Sequence, residues 1–276
     1  VCKIYSGDRQ LVMLKEILHS KRAQIEKLAK TRSIASFEGE AEGFKHRNFS
    51  EKLTRSEQSN QIGVIAEVKK ASPSKGILRE NFEAKNIARL YESNSAACIS
   101  VLTDEKFFQG SIENLILARK EISIPVLRKD FIIDPLQVAE SYAMHADCIL
   151  LIAAALPISL LIELESQALS YGMDCLLEVH NEGDLEKAMS CESKLIGINN
   201  RNLEDFSVNL ETSLRLNKII PTTKLVISES GIKNANDIKL LTDNGIRTFL
   251  MGETFMRQDC PGQALEKLLS SCTESD

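Results

Sequence analysis

The stretch of this sequence with the most evident chemistry is GVIAEVKKASPSKG, residues 63–76. It begins with apolar residues, continues through Glu67 and Lys69, and breaks into a segment rich in Ser, Pro and Gly. This pattern is typical of a buried strand that ends in a loop. Because side chains alternate along a strand, Glu67 and Lys69 project from the same face. A carboxylate and an ammonium there form either a structural ion pair or a proton-transfer pair, and these two residues alone leave both readings open.

Similar polar residues stand at the ends of later apolar runs. Lys129 follows the third run, Glu178 lies near the end of the fifth, and Asn199 ends the sixth. If these side chains meet Glu67 and Lys69, the charged groups shift one another's pKa values and supply an acid and a base near neutral pH. Each could by itself be a solvated or ion-paired residue. The hypothesis of a catalytic site therefore depends on the convergence of all five.

A second group of residues is suited to binding an anion. Ser230 and Gly231 follow the seventh run, and Gly252 and Glu253 follow the eighth. In barrels of parallel strands these two loops often hold a phosphate on backbone N–H groups. Ser-Gly and Gly also form ordinary turns, so each pair alone is a weak signal. The Glu253 side chain does not suit an anion site, but its backbone N–H does.

The elements that must position these residues alternate between short apolar runs and helical patterns. Eight such units recur with no long break, which predicts a single (β/α)8 TIM barrel with its active site at the C-terminal ends of the strands. A doubly wound sheet is the main alternative, but the chain lacks the G-x-G-x-x-G that its first loop would carry. The predicted strands are Val64–Val68, Cys98–Leu102, Ile124–Arg128, Cys148–Ile152, Asp174–Val179, Leu195–Asn199, Leu225–Glu229 and Thr248–Met251.

The first 62 residues differ from the rest. Apolar residues at helical spacing predict one amphipathic helix, roughly Leu11–Lys30, and a second short helix is expected near Phe49–Thr54. This segment is too short for a good core of its own. We therefore expect residues 1–62 to be a helical extension of the same domain and residues 63–276 to form the catalytic barrel.

Composition restricts the possible partners and location. The chain has 276 residues, a formal net charge of -5 and no basic block, which argues against nucleic acid or an anionic membrane as a partner. The seven cysteines include no C-x-x-C, and the four histidines form no metal-binding pair. We expect free thiols, no metal site, no membrane span and a cytoplasmic location. We also expect a monomer, because no exposed apolar helix face stands out beyond the N-terminal extension.

Several longer motifs resemble one known family, indole-3-glycerol phosphate synthase. The resemblance runs from the N-terminal helix to near the C-terminus, and the motifs together are highly specific. They are IAEVKKASPSKG (65–76), SVLTDEKFFQGS (100–111), PVLRKDFIIDPLQ (125–137), LLEVHNEGDLEKA (176–188), IGINNRNLEDFSVNLETS (196–213), VISESGI (226–232) and MGETFM (251–256).

The resemblance implies a (β/α)8 barrel whose N-terminal extension helps to close the substrate site. It also implies a carboxy-lyase of tryptophan biosynthesis. The small phosphorylated substrate, 1-(2-carboxyphenylamino)-1-deoxyribulose 5-phosphate, closes to indole-3-glycerol phosphate with loss of carbon dioxide and water. The family needs no metal and no cofactor.

Residue roles follow from the same resemblance. Lys129 is expected to be the general acid and Glu178 the general base. Glu67 and Asn199 orient these groups and bind substrate hydroxyls, while Lys69 binds anionic groups and shares in proton transfer.

The resemblance also assigns the parts of the substrate to residues. Arg201 is expected to face the carboxylate, and Phe108 and Phe131 the aromatic ring. The residues expected to hold the phosphate are Ser72, Ser230, Gly231, Gly252 and the amide of Glu253.

Two alternatives use the same residues. One is a Schiff-base aldolase with Lys129 as the nucleophile. The other is a phosphate-binding barrel of different or no activity, for which loss of a strand-end residue would be the sequence signature. Glu67, Lys69, Lys129 and Glu178 are all present, which favours the synthase.

Overall fold

Eight parallel strands close into a barrel. The computed structural model of the chain describes residues 8–202 and 207–273, so Cys2 and positions 203–206 after the sixth strand lie outside the described residues. Each strand pairs in parallel with its neighbours, and the last pairs with the first. The barrel strands, numbered in chain order, are β1 (Gly63–Val68), β2 (Cys98–Leu102), β3 (Val126–Lys129), β4 (Cys148–Ile152), β5 (Asp174–Val179), β6 (Leu195–Asn199), β7 (Leu225–Glu229) and β8 (Thr248–Met251).

Helices precede, connect and follow the strands. Three come before the barrel, and a short antiparallel hairpin, Ala71–Ser72 with Gly76–Ile77, follows β1. The helices are α1 (Asp8–Leu28), α2 (Ile34–Glu40), α3 (Phe49–Gln58), α4 (Ala84–Ser93), α5 (Glu105–Phe108), α6 (Ile112–Glu121), α7 (Pro135–Ala143), α8 (Ile158–Ser170), α9 (Glu182–Ala188), α10 (Glu211–Asn217), α11 (Ala235–Asp243), α12 (Glu253–Met256) and α13 (Pro261–Thr273), with a 3₁₀ turn at Ala153–Ala155.

The predicted barrel is confirmed, with local differences. The third strand begins at Val126 and ends at Lys129, not at Ile124 and Arg128. Proline at 125 has no N–H to donate, and the Val126 N–H is taken by the Asp147 carboxylate. The short helices α2, α5 and α12 have too few residues to show a helical period, and the sequence did not predict them.

Alternation along the strands separates two apolar layers. Val64, Ala66 and Val68 of β1 pack outward against the helices, whereas Ile65 points into the barrel. The same interior cluster holds Leu127, Leu176 and Ile227, which come from β3, β5 and β7. Four side chains from alternate strands form one layer of a barrel interior. The residue two positions further on in each strand therefore belongs to the next layer, nearer the C-terminal mouth.

Short polar side chains begin several of the helices. Each accepts a hydrogen bond from a backbone N–H in the first helical turn, which satisfies a donor that would otherwise have no partner. The Pro135 that follows one of them suits the first position of α7. These residues are Ser33, Asp104, Ser111, Asp134, Asn181 and Asn234.

The N-terminal segment contacts both ends of the barrel. At the N-terminal end of the strands, Phe49 and Leu53 of α3 are fully buried in the interior cluster. The Ser50 N–H donates to Asp174 of β5 at 2.8 Å, which fixes the start of α3 under the barrel. Helix α1 lies at the opposite end, where Met13 and Leu14 line the main cavity.

A buried lysine fixes α1 over the barrel mouth. Lys21 is 3% exposed, and its ammonium lies 2.9 Å from Asp104 and 2.6 Å from Asp130. Asp130 also faces Arg128, 3.4 Å away, and accepts a hydrogen bond from Thr103. Burial opposes ionisation of Asp130, but Arg128 and Lys21 together keep its pKa below the ordinary value. The helix is thus attached next to Lys129 by charges shielded from water.

The described cysteines are free. Cys98, Cys148 and Cys175 are buried, with thiol pKa values raised by burial, and they fill space as small core side chains. Within residues 8–202 and 207–273, no helix has both the length and the apolar character that crossing a bilayer requires.

Removal of the Lys21 ammonium should destabilise the protein. In Lys21→Met the Asp104 and Asp130 carboxylates stay buried without their shared cation, and we expect a loss of roughly 3 kcal/mol in the free energy of unfolding. Urea unfolding measures it. Lys15→Met, on an exposed position of the same helix, is the matched control and should change stability by less than about 0.5 kcal/mol. Equal losses in the two variants would contradict this account of Lys21.

Candidate active site

One cavity of about 200 Å³ opens at the C-terminal ends of the strands. Its wall includes residues that follow most of the barrel strands, part of α1, and the hairpin after β1. All thirteen site residues predicted from the sequence line it: Glu67, Lys69, Ser72, Phe108, Lys129, Phe131, Glu178, Asn199, Arg201, Ser230, Gly231, Gly252 and Glu253. Their convergence is therefore observed, while the role assigned to each stays a prediction.

The floor of the cavity is a layer of charged side chains from alternate strands. Glu67, Lys129, Glu178 and Glu229 each stand two residues after a member of the apolar layer below. Strand alternation thus places them in one layer above it. The Lys129 ammonium lies 3.0 Å from a carboxylate oxygen of Glu178 and 3.0 Å from one of Glu229. A single cation holds two buried carboxylates together.

The three groups have strongly different affinities for protons. Burial alone would lower the Lys129 pKa, but Glu178, Glu229 and Glu67 together raise it above its ordinary value. Burial opposes ionisation of Glu178, yet Lys129 and the neighbouring His180 hold its pKa below the usual range. For Glu229 burial prevails over the attraction of Lys129, and the adjacent Glu178 carboxylate adds to the effect, which raises its pKa to about 7. Near neutral pH the site therefore holds a charged lysine, an ionised Glu178 and a Glu229 that exchanges a proton.

Glu67 and Lys69 form the adjacent part of the wall. They are an ion pair, and they share a face as strand alternation predicts, although β1 itself ends at Val68. Gly252 of the last strand end leaves the space that Glu67 occupies, since a Cβ there would lie 2.7 Å from a Glu67 carboxylate oxygen. Gly252 is therefore required for close packing as well as for any contact with ligand.

Apolar side chains form the other side of the cavity. The rings of Phe108 and Phe131 lie 6.2 Å apart between centroids and are tilted by 38°. Phe108 is held by α5, whose first turn is capped by Asp104 through the Phe107 N–H at 2.7 Å. With Met13 of α1, these rings line an apolar part of the cavity beside the charged layer. Such a surface suits a flat aromatic group.

The turn after β7 also lines the cavity. Ser230 and Gly231 both have positive φ angles, 65° and 86°, and successive backbone N–H groups in a turn can form a concave site for an anion. Asn200 holds this turn, because its side-chain amide donates to the Glu229 and Ser230 carbonyls at 3.0 and 3.1 Å. A non-glycine residue in this conformation is strained, which is a mark of functional turns.

An arginine and a glutamate lie close to each other in the cavity wall. The Arg201 guanidinium is 3.8 Å from the Glu253 carboxylate, and the Arg257 side chain approaches the same carboxylate at 3.3 Å. The Glu253 side chain thus points toward these two cations. Ser72, from the hairpin after β1, also reaches the cavity.

Comparison with known proteins decides the family. A family model described as indole-3-glycerol phosphate synthase matches residues 14–268. The indole-3-glycerol phosphate synthase of Bordetella pertussis is 46% identical over 259 residues, which cover 94% of this chain and 99% of the relative. That of Acinetobacter baylyi is 49% identical over 223 residues, or 80% and 82% of the two chains. The chain belongs to the indole-3-glycerol phosphate synthase family.

More distant solved structures share the fold. The tryptophan synthase α subunit from Legionella pneumophila superposes with a TM-score of 0.59 at 11% identity. The superposition covers 84% of this chain and 98% of the α subunit. KGPDC from Streptococcus mutans gives a TM-score of 0.59 at 10% identity, covering 78% and 99%. At these identities the likeness supports the barrel alone.

Glu229 is the main residue that the sequence reasoning missed in this member of the indole-3-glycerol phosphate synthase family. It was noted at the seventh strand end but given no role. The signal was present, because Glu229 follows the inward-facing Ile227 by two residues, as Glu178 follows Leu176. The sequence also did not predict that Ile17 of α1 lines the cavity.

The described part of the chain contains no group of three or more His, Cys, Asp or Glu side chains arranged to hold a metal ion. The absence of a metal and of a cofactor from the reaction stays a prediction.

Glu229 should give the protein a pH dependence of definite sign. Its pKa in the folded protein is about 7 against an ordinary 4.5, so within that range the native state keeps a proton that the unfolded state has released. The contribution of Glu229 to stability is complete below the ordinary pKa of 4.5 and is lost as pH rises through the folded-state pKa of about 7. The Glu229→Gln variant has no carboxyl group to titrate at this position, so it does not lose stability in this way as pH rises. Between about pH 5 and about pH 8, the variant should gain roughly 2 kcal/mol relative to wild type.

Urea unfolding at the two pH values measures that difference. Glu163→Gln, at an exposed position on α8, is the control and should follow the wild-type curve. Parallel curves for Glu229→Gln and wild type would contradict the raised pKa.

Proposed function

We propose that this protein converts 1-(2-carboxyphenylamino)-1-deoxyribulose 5-phosphate to indole-3-glycerol phosphate, carbon dioxide and water in tryptophan biosynthesis. The observation that carries the proposal is Lys129, an ammonium held between Glu178 and Glu229 in the cavity of a family member. The reaction needs one group that gives a proton and another that takes one, both within reach of a single bound molecule.

Ring closure makes use of the charged lysine. The aromatic carbon that carries the carboxylate attacks the ketone carbon, and negative charge builds on the ketone oxygen. Lys129, kept protonated by the surrounding carboxylates, donates a proton to that oxygen. Loss of carbon dioxide then returns an electron pair to the ring. Because the ammonium is already oriented by two carboxylates, it needs little rearrangement to act.

Dehydration makes use of the two glutamates. Glu178 is ionised and accepts the proton that must leave as the indole double bond forms. Glu229, with a pKa of about 7, is protonated in a fraction of the molecules at neutral pH, and in that form it can give its proton to the departing hydroxyl, which leaves as water. Two carboxyl groups with separated pKa values thus divide the acid and base roles.

The rest of the cavity suits the rest of the substrate. The phosphate fits the backbone N–H groups at Ser230, Gly231, Gly252 and Glu253, with the Ser72 hydroxyl beside them. The aromatic ring of the substrate fits against the Phe108 and Phe131 rings, and its carboxylate faces Arg201. In this proposal Glu67 and Asn199 bind the substrate hydroxyls, and Lys69 binds its anionic groups. A phosphate bound far from the reacting carbons positions them without contributing to the chemistry.

The aldolase alternative requires a neutral Lys129, because only an unprotonated amine attacks a carbonyl to form an imine. The structure surrounds this amine with Glu178, Glu229 and Glu67, which raise its pKa. That environment favours proton donation over nucleophilic attack.

Lys129→Met should abolish turnover and leave binding intact. We expect the rate to fall by about 10²–10⁴-fold, the usual contribution of a general acid, while a reduced analogue that lacks the ketone still binds. Indole fluorescence during incubation with the substrate measures turnover, and titration calorimetry measures binding. Lys120→Met, on an exposed part of α6, is the control.

Retained turnover in Lys129→Met would refute its role as the acid. Treatment of the wild-type protein with borohydride and a ketose phosphate gives the complementary check. A stable adduct on Lys129 would support the aldolase alternative.

Gly231→Ala should weaken phosphate binding. The change imposes a φ of +86° on an alanine and places its Cβ 2.4 Å from a Val208 methyl carbon, so the anion-binding turn must shift. We expect the KM for the substrate and the Ki for inorganic phosphate to rise roughly tenfold, with a smaller change in kcat. Steady-state kinetics with phosphate as inhibitor measures both constants.

Gly245→Ala is a control matched for backbone strain. Gly245 has a φ of +84° but is not part of the cavity wall. Similar changes in KM and Ki for both variants would contradict a phosphate site at Gly231.

We further propose a cytoplasmic location and a monomeric state. Six free cysteines in the described residues, four of them buried, suit a reducing compartment.

A further inference from the structure

A buried histidine lies directly behind the proposed base. His180 follows the end of β5, and its side chain is 8% exposed. Its Nε2 atom is 3.4 Å from Glu178 Oε1, and its Nδ1 atom is 3.6 Å from an Asp184 carboxylate oxygen. It is not among the residues that line the cavity, so it is placed to act on the substrate only through Glu178.

The two oxygens of Glu178 face different cations. Oε2 accepts the hydrogen bond from Lys129 at 3.0 Å, while Oε1 faces the imidazole of His180. A positive imidazole on the other side holds the carboxylate plane between the two cations, with Oε2 next to the reacting groups.

The surroundings of His180 are built to hold it in place. Its backbone N–H donates to Asp184 at 3.1 Å, and the Asp184 N–H donates to the Asn181 side chain that caps α9. Neither ring nitrogen has a hydrogen-bond partner among the described residues. The contacts of the buried ring are therefore with the two carboxylates, at distances that favour a charged imidazole.

We propose that His180 is a positioning residue for this reaction, because its imidazole is held between Asp184 and Glu178 and fixes the orientation of the Glu178 carboxylate. The inference rests on the proposed role of Glu178 as the base. Asp184, on α9 outside the cavity, becomes part of the same arrangement because it holds the imidazole from behind.

The charges around His180 favour a protonated imidazole. Burial lowers the pKa of His180, but Asp184 and Glu178, with Glu229 farther away, raise it above the ordinary 6.5. Conversely, His180 contributes to the lowered pKa of Glu178, after burial and Lys129. Lys129 lies on the far side of Glu178, so the carboxylate separates the two cations.

His180→Asn tests the proposal through its pH profile. The variant keeps a planar polar side chain but cannot become charged, so Glu178 should bind a proton more readily. We expect the acid limb of kcat to move up by about one pH unit, and kcat near neutrality to fall roughly tenfold, with KM nearly unchanged. His145→Asn is the matched control. This histidine precedes β4 at the other end of the barrel and has a φ of 63° that asparagine tolerates. It should leave the profile unchanged.

Direct titration of the imidazole separates this proposal from the proposed function. Two-dimensional ¹H–¹⁵N spectra should show His180 titrating above 6.5 in the wild-type protein, and at a lower pH in Glu178→Gln and in Asp184→Asn. Asparagine at 184 can still accept the backbone bond from His180, so this variant serves if His180→Asn does not fold. Asp184→Asn should also move the acid limb upward, but by less.

The outcomes are distinct. A wild-type His180 that titrates at or below 6.5 and is insensitive to both variants would overturn the inference, as would a His180→Asn profile that matches wild type. Retained turnover in Glu178→Gln would instead overturn the base assignment, whatever the imidazole does.

Discussion

The site depends on one buried ammonium and the carboxylates around it. The Lys129 side chain is 12% exposed, while those of Glu178 and Glu229 are 4% and 2% exposed. Charges this far from water are unfavourable alone and tolerable only with well-placed partners. Loss of the cation would leave the Glu178 and Glu229 carboxylates facing each other without the charge that both of them contact. The chemistry and the stability of this end of the barrel therefore rest on the same contacts.

The regular geometry of the barrel creates this arrangement. Odd-numbered strands contribute charged side chains to the upper layer, directly above Ile65, Leu127, Leu176 and Ile227. Two glycines leave space for two of these side chains. A Cβ on Gly197 of β6 would lie 2.2 Å from a Glu229 oxygen, and a Cβ on Gly252, directly after β8, would lie 2.7 Å from a Glu67 oxygen. These glycines allow the Glu229 and Glu67 carboxylates to fit into the layer of four ionisable side chains.

The N-terminal segment isolates this layer from solvent. Helix α3 closes the lower end of the barrel, and α1 covers the mouth, attached by Lys21 to Asp104 and Asp130. Asp130 follows Lys129 directly in the chain, so the anchor of the covering helix lies beside the proposed acid. Exclusion of water strengthens the interactions among the charges below it. The burial of the charged layer therefore depends on α1 and on the ion pairs of Lys21 that hold this helix in place.

The sequence by itself determined the eight strands, the shared face of Glu67 and Lys69, and the family resemblance. These depend on local periodicity and on motifs, which are read along the chain. It did not give Glu229 a partner, place Lys21 between Asp104 and Asp130, or set His180 behind Glu178. Periodicity tells which face a side chain takes. Distances between side chains on different strands depend on barrel closure and strand stagger, and pKa values depend on burial, so both were decided by the tertiary structure alone.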